Sequence, residues 1–211
     1  MKSLGTAICI LVFIVVVRSE YTSLQWSDCG SDPSITIHNL AVTPMPVMVP
    51  GNMNFTLRAS STRSHLNRMI LKLSSKRKGD WFDIPVPCLF HVGSCTYDDT
   101  CTLLATMQRD NWAGVMRSIG GQIQRMFSSV GVNDYCPLPI QSLNIENYVL
   151  TMPPIPSFLT FLAEGDYETR LRALDHATND VLICVDLKMT MKEHTERCTD
   201  WFCRMRQALR P

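Results

Sequence analysis

Hydrophobic and polar side chains alternate along two short segments of the chain, and a period of two predicts β-strands. In residues 53–59 every second residue is Met, Phe, Leu or Ala, and in residues 69–73 every second residue is Met or Leu. Successive strand side chains point to opposite faces, so such segments bury one face. Pro, Gly, Asn and Asp clusters separate five further strand candidates: residues 35–42, 81–86, 147–152, 167–173 and 181–191. Several short strands at this spacing predict an all-β fold, an antiparallel β-sandwich.

A helical pattern lies between Cys101 and Cys136. Apolar residues recur there at steps of three and four, with arginine and glutamine between them: Trp112, Val115, Met116, Ile119, Ile123, Met126, Phe127 and Val130. The pattern predicts one short amphipathic helix, bent at Gly120-Gly121. Its apolar stripe fits three roles: packing on the core, closing an apolar cavity as a mobile lid, or lying on a membrane surface.

Residues 1–19 have the pattern of a secretory signal peptide. Lys2 precedes an apolar run over residues 4–17, which is shorter than the ~20 residues that span a bilayer. Ser19 suits cleavage, and an uncleaved anchor is the alternative. Cleavage would remove Cys9 and predicts that the remaining chain is soluble.

Charge and length limit the classes of function. Residues 1–19 hold two of the 20 basic residues and none of the 19 acidic ones, so 18 basic and 19 acidic residues remain. A near-neutral chain argues against nucleic-acid binding, which needs a basic excess. Residues 20–191 are long enough for one domain with its own core, and residues 192–211 are predicted to form a polar C-terminal tail.

Eight cysteines follow the leader: Cys29, Cys88, Cys95, Cys101, Cys136, Cys184, Cys198 and Cys203. An even number in a chain addressed to the secretory pathway predicts four disulfides, with 105 possible connectivities. Asn54 heads the chain's one N-x-[ST] sequence, which predicts a glycosylation site. An unmodified asparagine on the flank of a strand is the alternative.

Motifs for catalysis are missing from the sequence. There is no G-x-S-x-G, H-E-x-x-H, P-loop or G-x-G-x-x-G motif, and the five histidines are scattered. His194, Cys198 and Cys203 fall short of the four ligands of a structural zinc site. Asp98-Asp99 fits a turn or a helix cap better than acid–base chemistry. The sequence therefore predicts a protein that is not an enzyme and that uses neither a metal nor a cofactor.

Several motifs, in order, resemble the ganglioside GM2 activators of the MD-2-related lipid-recognition (ML) family. They are V-P-G-N at 49–52, W-F-D-I-P-V-P-C at 81–88, G-S-C-T-Y at 93–97 with Cys101, P-I-P-S-F-L-T at 154–160, G-D-Y at 165–167, and Cys184. The similar region runs from about Trp26 to Met191 and so covers nearly all of the chain after the leader.

The resemblance implies a fold and a function. The family fold is an immunoglobulin-like β-sandwich opened into a lipid-binding cup. A protein of this kind is expected to extract a glycolipid from a membrane and present it to a β-hexosaminidase-like glycoside hydrolase, without being catalytic itself. The expected location is the lysosome, or the extracellular space or secretory granules. The alternatives are a carrier of sterol or another small lipid with no hydrolase partner, and a hydrolase acting directly on lipid, which the missing motifs disfavour.

The resemblance also implies a disulfide pattern and candidate sites. It pairs Cys29 with Cys184, Cys88 with Cys95, and Cys101 with Cys136, and it leaves Cys198 and Cys203 for each other in the tail. The candidate lipid-binding residues are Trp81, Trp112, Met116, Ile119, Ile123, Phe158, Leu159 and Phe161, for which ordinary core packing is the alternative.

Lys76, Arg77 and Lys78 replace apolar residues of the family pattern just before the tryptophan. They are predicted to meet an anionic membrane, at ~1 kcal/mol per basic residue near the surface. A solvated turn is the alternative.

Overall fold

A computed structural model describes residues 20–31, 34–133, 136–139 and 141–194. The predicted signal peptide, the Cys198–Cys203 pair and the tail beyond residue 194 lie outside these residues. The described part contains ten strands: β1 (Gln25–Asp28), β2 (Ile35–Thr43), β3 (Val47–Val49), β4 (Gly51–Ser61), β5 (Met69–Arg77), β6 (Ile84–Pro85), β7 (Thr96–Tyr97), β8 (Ser142–Met152), β9 (Gly165–Asp175) and β10 (Val181–Glu193).

The strands form two sheets. The larger sheet has the order β1-β10-β9-β5-β6, with β3 added to β10 and β7 to β5, and the smaller sheet has the order β2-β4-β8. All pairings are antiparallel except that between β10 and β3. The predicted fold class, an antiparallel two-sheet β protein with a helical insertion, is confirmed.

Strand periodicity explains which side of the larger sheet faces the interior. Leu73 of β5 pairs with Leu171 of β9, which pairs with Val185 of β10. The flanking positions carry charged side chains such as Arg170 and Asp186, whose groups pair at 2.7 Å. One face is therefore apolar and packs inward, while the other carries ion pairs toward water.

The insertion between the sheets differs from the expected single helix. It is a helical pair, α1 (Thr100–Asp110) and α2 (Met116–Ser129), separated by a short 3₁₀ turn, Trp112–Gly114. Asp99 caps α1, since its carboxylate accepts a hydrogen bond from the N–H of Cys101 at 2.9 Å, as the sequence suggested.

The predicted bend at Gly120-Gly121 is wrong, because both glycines lie inside continuous α2 and are buried. A Cβ atom on Gly120 would lie 3.1 Å from Cγ of Gln108 and 3.4 Å from Cβ of Met107, both on α1. These glycines therefore allow α1 and α2 to pack closely. The chain reverses instead at Asn111 and Ala113, whose φ angles are 45° and 53°.

Helix α2 packs its apolar stripe on the smaller sheet. Met126 lies in one cluster with Ala59 of β4 and Leu143 and Ile145 of β8, and Ile123 packs against it. Gln122 holds the helix to the end of β8 through two hydrogen bonds with the backbone of Thr151, of 2.9 and 2.6 Å.

Three disulfides are present among the described residues, and they are the three that the resemblance implied. They join Cys29 to Cys184, Cys88 to Cys95, and Cys101 to Cys136. The first ties β1 to β10, the second closes the loop before β7, and the third spans the helical insertion.

Candidate lipid-binding cavity

An apolar cavity of about 210 Å³ lies where the larger sheet, the start of α2 and the segment after β8 meet. Most of its wall is aliphatic, proline or methionine side chain. It is lined by Ser75, Val86, Val92, Gly93, Val115, Met116, Ile119, Met152, Pro153, Ile155, Pro156, Leu159, Leu162, Tyr167, Thr169, Met189 and Met191. No aspartate, glutamate, lysine or arginine is among these lining residues.

The sheet wall of the cavity follows from strand periodicity. Tyr167 and Thr169 are two residues apart on β9, as are Met189 and Met191 on β10, and Tyr167 pairs with Met189. Each pair therefore projects to the same face. The flexible methionine side chains suit an irregular surface that must adapt to its contents.

The polar groups in this wall are hydrogen-bonded to each other or to the backbone. The hydroxyls of Ser75 and Thr169 are 2.8 Å apart. The hydroxyl of Tyr167 donates to the carbonyl of Leu162 at 3.0 Å. Burial raises the pKa of Tyr167, against a smaller lowering effect of the positive charge of Arg77. The wall therefore offers a hydrocarbon chain a surface with these hydroxyls already paired.

A proline-rich segment separates the cavity from solvent on one side. Pro156 precedes a 3₁₀ helix, Ser157–Leu162. Leu159 is 3% exposed and lines the cavity, whereas Phe158 and Phe161 are 52% and 46% exposed. This segment thus has an apolar inner side and an aromatic outer side.

An aromatic stack joins the corner of the helical insertion to the loop closed by Cys88–Cys95. Trp112 stacks on His91 and on Tyr97, with ring centroids 4.5 and 5.8 Å apart. The hydroxyl of Tyr97 donates to the carbonyl of His91 at 2.8 Å, and burial raises the pKa of Tyr97. Val92 of the same loop lines the cavity, so this stack holds two parts of the cavity wall together.

The basic residues at the end of β5 separate onto two sides. Lys76 lies 2.7 Å from Asp83 and 3.0 Å from Glu168, and Lys78 lies 3.3 Å from each of these carboxylates. Hydrogen bonds to the two carboxylates raise the pKa values of both lysines, and the bond from Lys76 lowers the pKa of Asp83. Arg77 alternates to the opposite face, where its Nη1 donates to the carbonyl of Phe161 at 3.3 Å.

Beside this ion-pair network the hairpin between β5 and β6 exposes large apolar side chains. Trp81 is 95% exposed, Phe82 is 73% exposed and Ile84 is 47% exposed. Exposed aromatic groups next to one another are typical of a surface that meets another apolar phase.

The structure brings some of the sequence-predicted residues together and separates others. Met116, Ile119 and Leu159 line the cavity. Ile123 packs deeper, against the cluster on the smaller sheet. Three other candidates are exposed and do not line the cavity: Trp81, Phe158 and Phe161. Trp112 instead stacks on His91 and Tyr97. Asn54 is exposed on the central strand of the smaller sheet, and its glycosylation stays a prediction.

Sequence reasoning missed most of the sheet wall. The alternation on β9 and β10 gave a usable signal, since Tyr167 with Thr169 and Met189 with Met191 share one face. The start of α2 adds Val115, which the helical pattern contained.

The described residues carry neither a metal-binding cluster nor a spanning helix. No group of three or more His, Cys, Asp or Glu side chains among them is arranged to hold a metal ion. Within the same part of the chain, no helix has the length and apolarity to cross a bilayer.

The fold and the cavity together define a two-sheet β protein with an apolar, partly open cavity beside its larger sheet. The chain is similar to the ganglioside GM2 activator of Macaca fascicularis, with 26% identity over 81% of this chain and 84% of the relative. It is also similar to the ganglioside GM2 activator of Mus musculus, with 22% identity over 82% of this chain and 84% of the relative. The resemblance to ganglioside GM2 activators found from the motifs is thereby confirmed.

No family model matches the chain. Among solved structures, a Niemann-Pick type C2 protein from the Japanese carpenter ant aligns over 80% of this chain and 99% of its own, with 12% identity and a TM-score of 0.39.

Proposed function

We propose that this protein binds and transfers lipid without being catalytic itself. The observation that carries the proposal is the apolar cavity of about 210 Å³ beneath the larger sheet. Proteins pack their interiors densely, so a cavity of this size lined by Leu, Ile, Val and Met needs an explanation. Hydrocarbon supplies one, because each buried CH₂ group contributes about 0.8 kcal/mol. The names of the two relatives support the same assignment.

The exposed hairpin supports a membrane step in this function. Trp81 and Phe82 protrude beside the β5 end, where Lys76 and Lys78 already pair with acidic neighbours. Contact through the aromatic side chains therefore supplies more of the membrane affinity than the two lysines do. Tryptophan favours the interface between headgroups and hydrocarbon.

The finer proposal is an activator role in the lysosome or elsewhere on the secretory pathway. The protein would lift a glycolipid from a membrane and present its headgroup to a β-hexosaminidase-like glycoside hydrolase. A hydrolase working in water cannot reach a headgroup packed in a bilayer. Such an enzyme therefore needs a carrier that lifts the lipid out of the membrane. The similarity to ganglioside GM2 activators supports this version.

A second candidate is an extracellular or secretory-granule carrier of sterol or another small lipid, with no hydrolase partner. The cavity volume favours it, because about 210 Å³ is below the ~300–1,000 Å³ of ordinary small-molecule pockets. A lipid with two long chains would require the cavity to widen more than a small or single-chain lipid would.

Lipid transfer between vesicles tests the proposal. Purified protein is mixed with donor vesicles that contain a fluorescent, self-quenched ganglioside and with unlabelled acceptor vesicles. We expect transfer to rise in proportion to protein, and Ile119→Trp, which fills the cavity, to suppress it. Ser118→Trp is the matched control, because Ser118 is exposed on the same helix.

Three further outcomes separate the versions of the proposal. If Ile119→Trp transfers the fluorescent lipid as fast as the unmodified protein, lipid does not bind in this cavity. Transfer without any stimulation of an added β-hexosaminidase would favour the carrier over the activator. Turnover of glycolipid by the purified protein alone would overturn the non-catalytic assignment.

A further inference from the structure

Arg77 is set apart from its two basic neighbours by strand geometry. Residues of β5 alternate between faces, so Ser75 and Arg77 project to the side on which Ser75 lines the cavity. The register agrees, because Ser75 pairs with Thr169 and Arg77 pairs with Tyr167, and both partners are lining residues. Arg77 is therefore the next side chain along the sheet wall after the cavity ends.

Among the described residues, Arg77 forms no ion pair within 4.0 Å of a carboxylate. Lys76 and Lys78 each contact Asp83 and Glu168 on the other face. The guanidinium of Arg77 donates instead to a neutral acceptor, the carbonyl of Phe161, at 3.3 Å. A guanidinium has five N–H donors, so this bond leaves capacity for a further acceptor.

The backbone around Arg77 leaves room for its side chain at the edge of the cavity. Gly165 has a φ of 145°, and a Cβ atom there would lie 2.5 Å from Nε of Arg77. The charge also reaches the cavity wall, because it lowers the pKa of Tyr167, partly offsetting the effect of burial. Arg77 is thus held between Gly165 and the 3₁₀ helix that separates the cavity from solvent.

The cavity wall has no charged side chain, so a polar headgroup would be recognised at the edge of the cavity and not inside it. Its volume of about 210 Å³ suits one hydrocarbon chain better than two. Its wall hydroxyls are occupied, since Ser75 bonds Thr169 and Tyr167 bonds the Leu162 carbonyl. A bound amphiphile would therefore bury its chain in the cavity and keep its headgroup beside Arg77.

We infer that Arg77 selects single-chain lipids with an anionic headgroup, a carboxylate or a phosphate, for this cavity. The inference rests on the proposed function and deepens it. Planar guanidinium groups bind both kinds of anion through paired hydrogen bonds, which a point charge on lysine does less well. Arg77 is a specificity-determining residue in this scheme, and the chain supplies the apolar part of the affinity.

A matched pair of ligands tests the inference by titration calorimetry on the purified protein. Oleoyl-lysophosphatidic acid and monoolein share an oleoyl chain on glycerol and differ by the phosphate, and both are used below their aggregation concentrations. We expect the anionic lipid to bind roughly ten- to hundredfold more tightly, the range of a charge-assisted hydrogen bond. Oleate tests whether a carboxylate substitutes for the phosphate.

Three variants assign the preference to Arg77. Arg77→Gln should remove the preference by weakening the binding of the anionic lipid much more than that of monoolein, while Arg77→Lys should keep part of the preference. Lys76→Gln removes the same charge one residue away on the opposite face and should keep all of it. An unchanged preference in Arg77→Gln, or an equal loss in Lys76→Gln, would overturn the inference.

The remaining outcomes separate this inference from the proposed function. Equal binding of both lipids by the unmodified protein would refute the inference and leave lipid binding standing. Binding of neither would refute the inference, and the proposed function would fall only if ganglioside transfer between vesicles failed as well. Equally tight binding of glycerol 3-phosphate, which lacks the chain, would mean that Arg77 belongs to a free phosphate site, and it would also overturn the inference.

Discussion

Replacing Thr169 by valine tests whether the cavity is dry. Valine has nearly the shape of threonine, so the change removes the hydroxyl and leaves the packing in place. The hydroxyl of Ser75 then loses the partner that lies 2.8 Å away in the cavity wall. An unpaired polar group shielded from water costs about 1–3 kcal/mol. Because both residues are only partly buried, we expect Thr169→Val to lower the free energy of unfolding by about 1–2 kcal/mol.

The second half of the test removes both hydroxyls. The double variant Ser75→Ala with Thr169→Val leaves no unpaired group, so its stability should return to within about 0.5 kcal/mol of the unmodified protein. The coupling energy of the double-mutant cycle should then be about 1 kcal/mol, as for side chains in direct contact. Urea unfolding of lipid-free protein with its disulfides intact gives the four free energies. Thr36→Val, at an exposed position on β2, is the control for the effect of valine on a strand.

Additive effects would refute this reasoning. If Thr169→Val changes the stability by less than about 0.3 kcal/mol, water must reach Ser75 and replace the lost partner. A wall that water enters freely gives a hydrocarbon chain less to gain from burial, so the same result would weaken the proposed lipid site.

Three further predictions concern the disulfides, the exposed hairpin and acid stability. Replacing Cys29 and Cys184 by serine should lower the free energy of unfolding by about 5 kcal/mol in the chain-entropy model, because the bridge closes a 155-residue separation. Urea unfolding measures this free energy, and a loss under about 1 kcal/mol would contradict the model. Replacing Trp81 and Phe82 by alanine should weaken vesicle binding about tenfold or more. The free energy of unfolding should stay constant, because the two side chains are 95% and 73% exposed. Vesicle sedimentation measures the binding, and an unchanged result would exclude this hairpin from the membrane contact. The Asp175 carboxylate accepts a hydrogen bond from a backbone N–H, and this bond lowers its pKa. The stabilisation from this carboxylate is therefore present above the unfolded pKa of about 3.9 and is lost as the pH falls through the lower folded pKa. Asp175→Asn should flatten the acid limb of a plot of urea midpoint against pH, and an unaltered limb would count against this prediction.

The strands on which the sequence was informative are those with one buried face. The alternation in residues 53–59 and 69–73 lies within β4 and β5, and the candidate at 167–173 lies within β9. The candidate at 81–86 shrinks to the two residues of β6, because Pro85 cannot donate a backbone hydrogen bond and Trp81 points into solvent.

Helix breaks were harder to locate than helices. The apolar stripe correctly indicated α2, yet the sequence offered Gly120-Gly121 as the bend. Glycine serves both flexible backbone and close helix packing, and only the neighbouring α1 decides between them. The turn formed at Asn111 and Ala113, of which the alanine gives no sign of a positive φ.

The sequence by itself determined the two-sided strands, the amphipathic helical segment and, through its motifs, the three described disulfides and the resemblance to ganglioside GM2 activators. These features depend on the local spacing and the order of residue types, which can be read without knowing which residues meet in space. The tertiary structure alone decided which apolar side chains line the cavity and which face solvent. Leu159 and Phe158 are adjacent and both apolar, yet one is 3% exposed and the other 52%. It also separated Arg77 from Lys76 and Lys78, because only the folded chain brings Asp83 of the hairpin and Glu168 of β9 next to the two lysines.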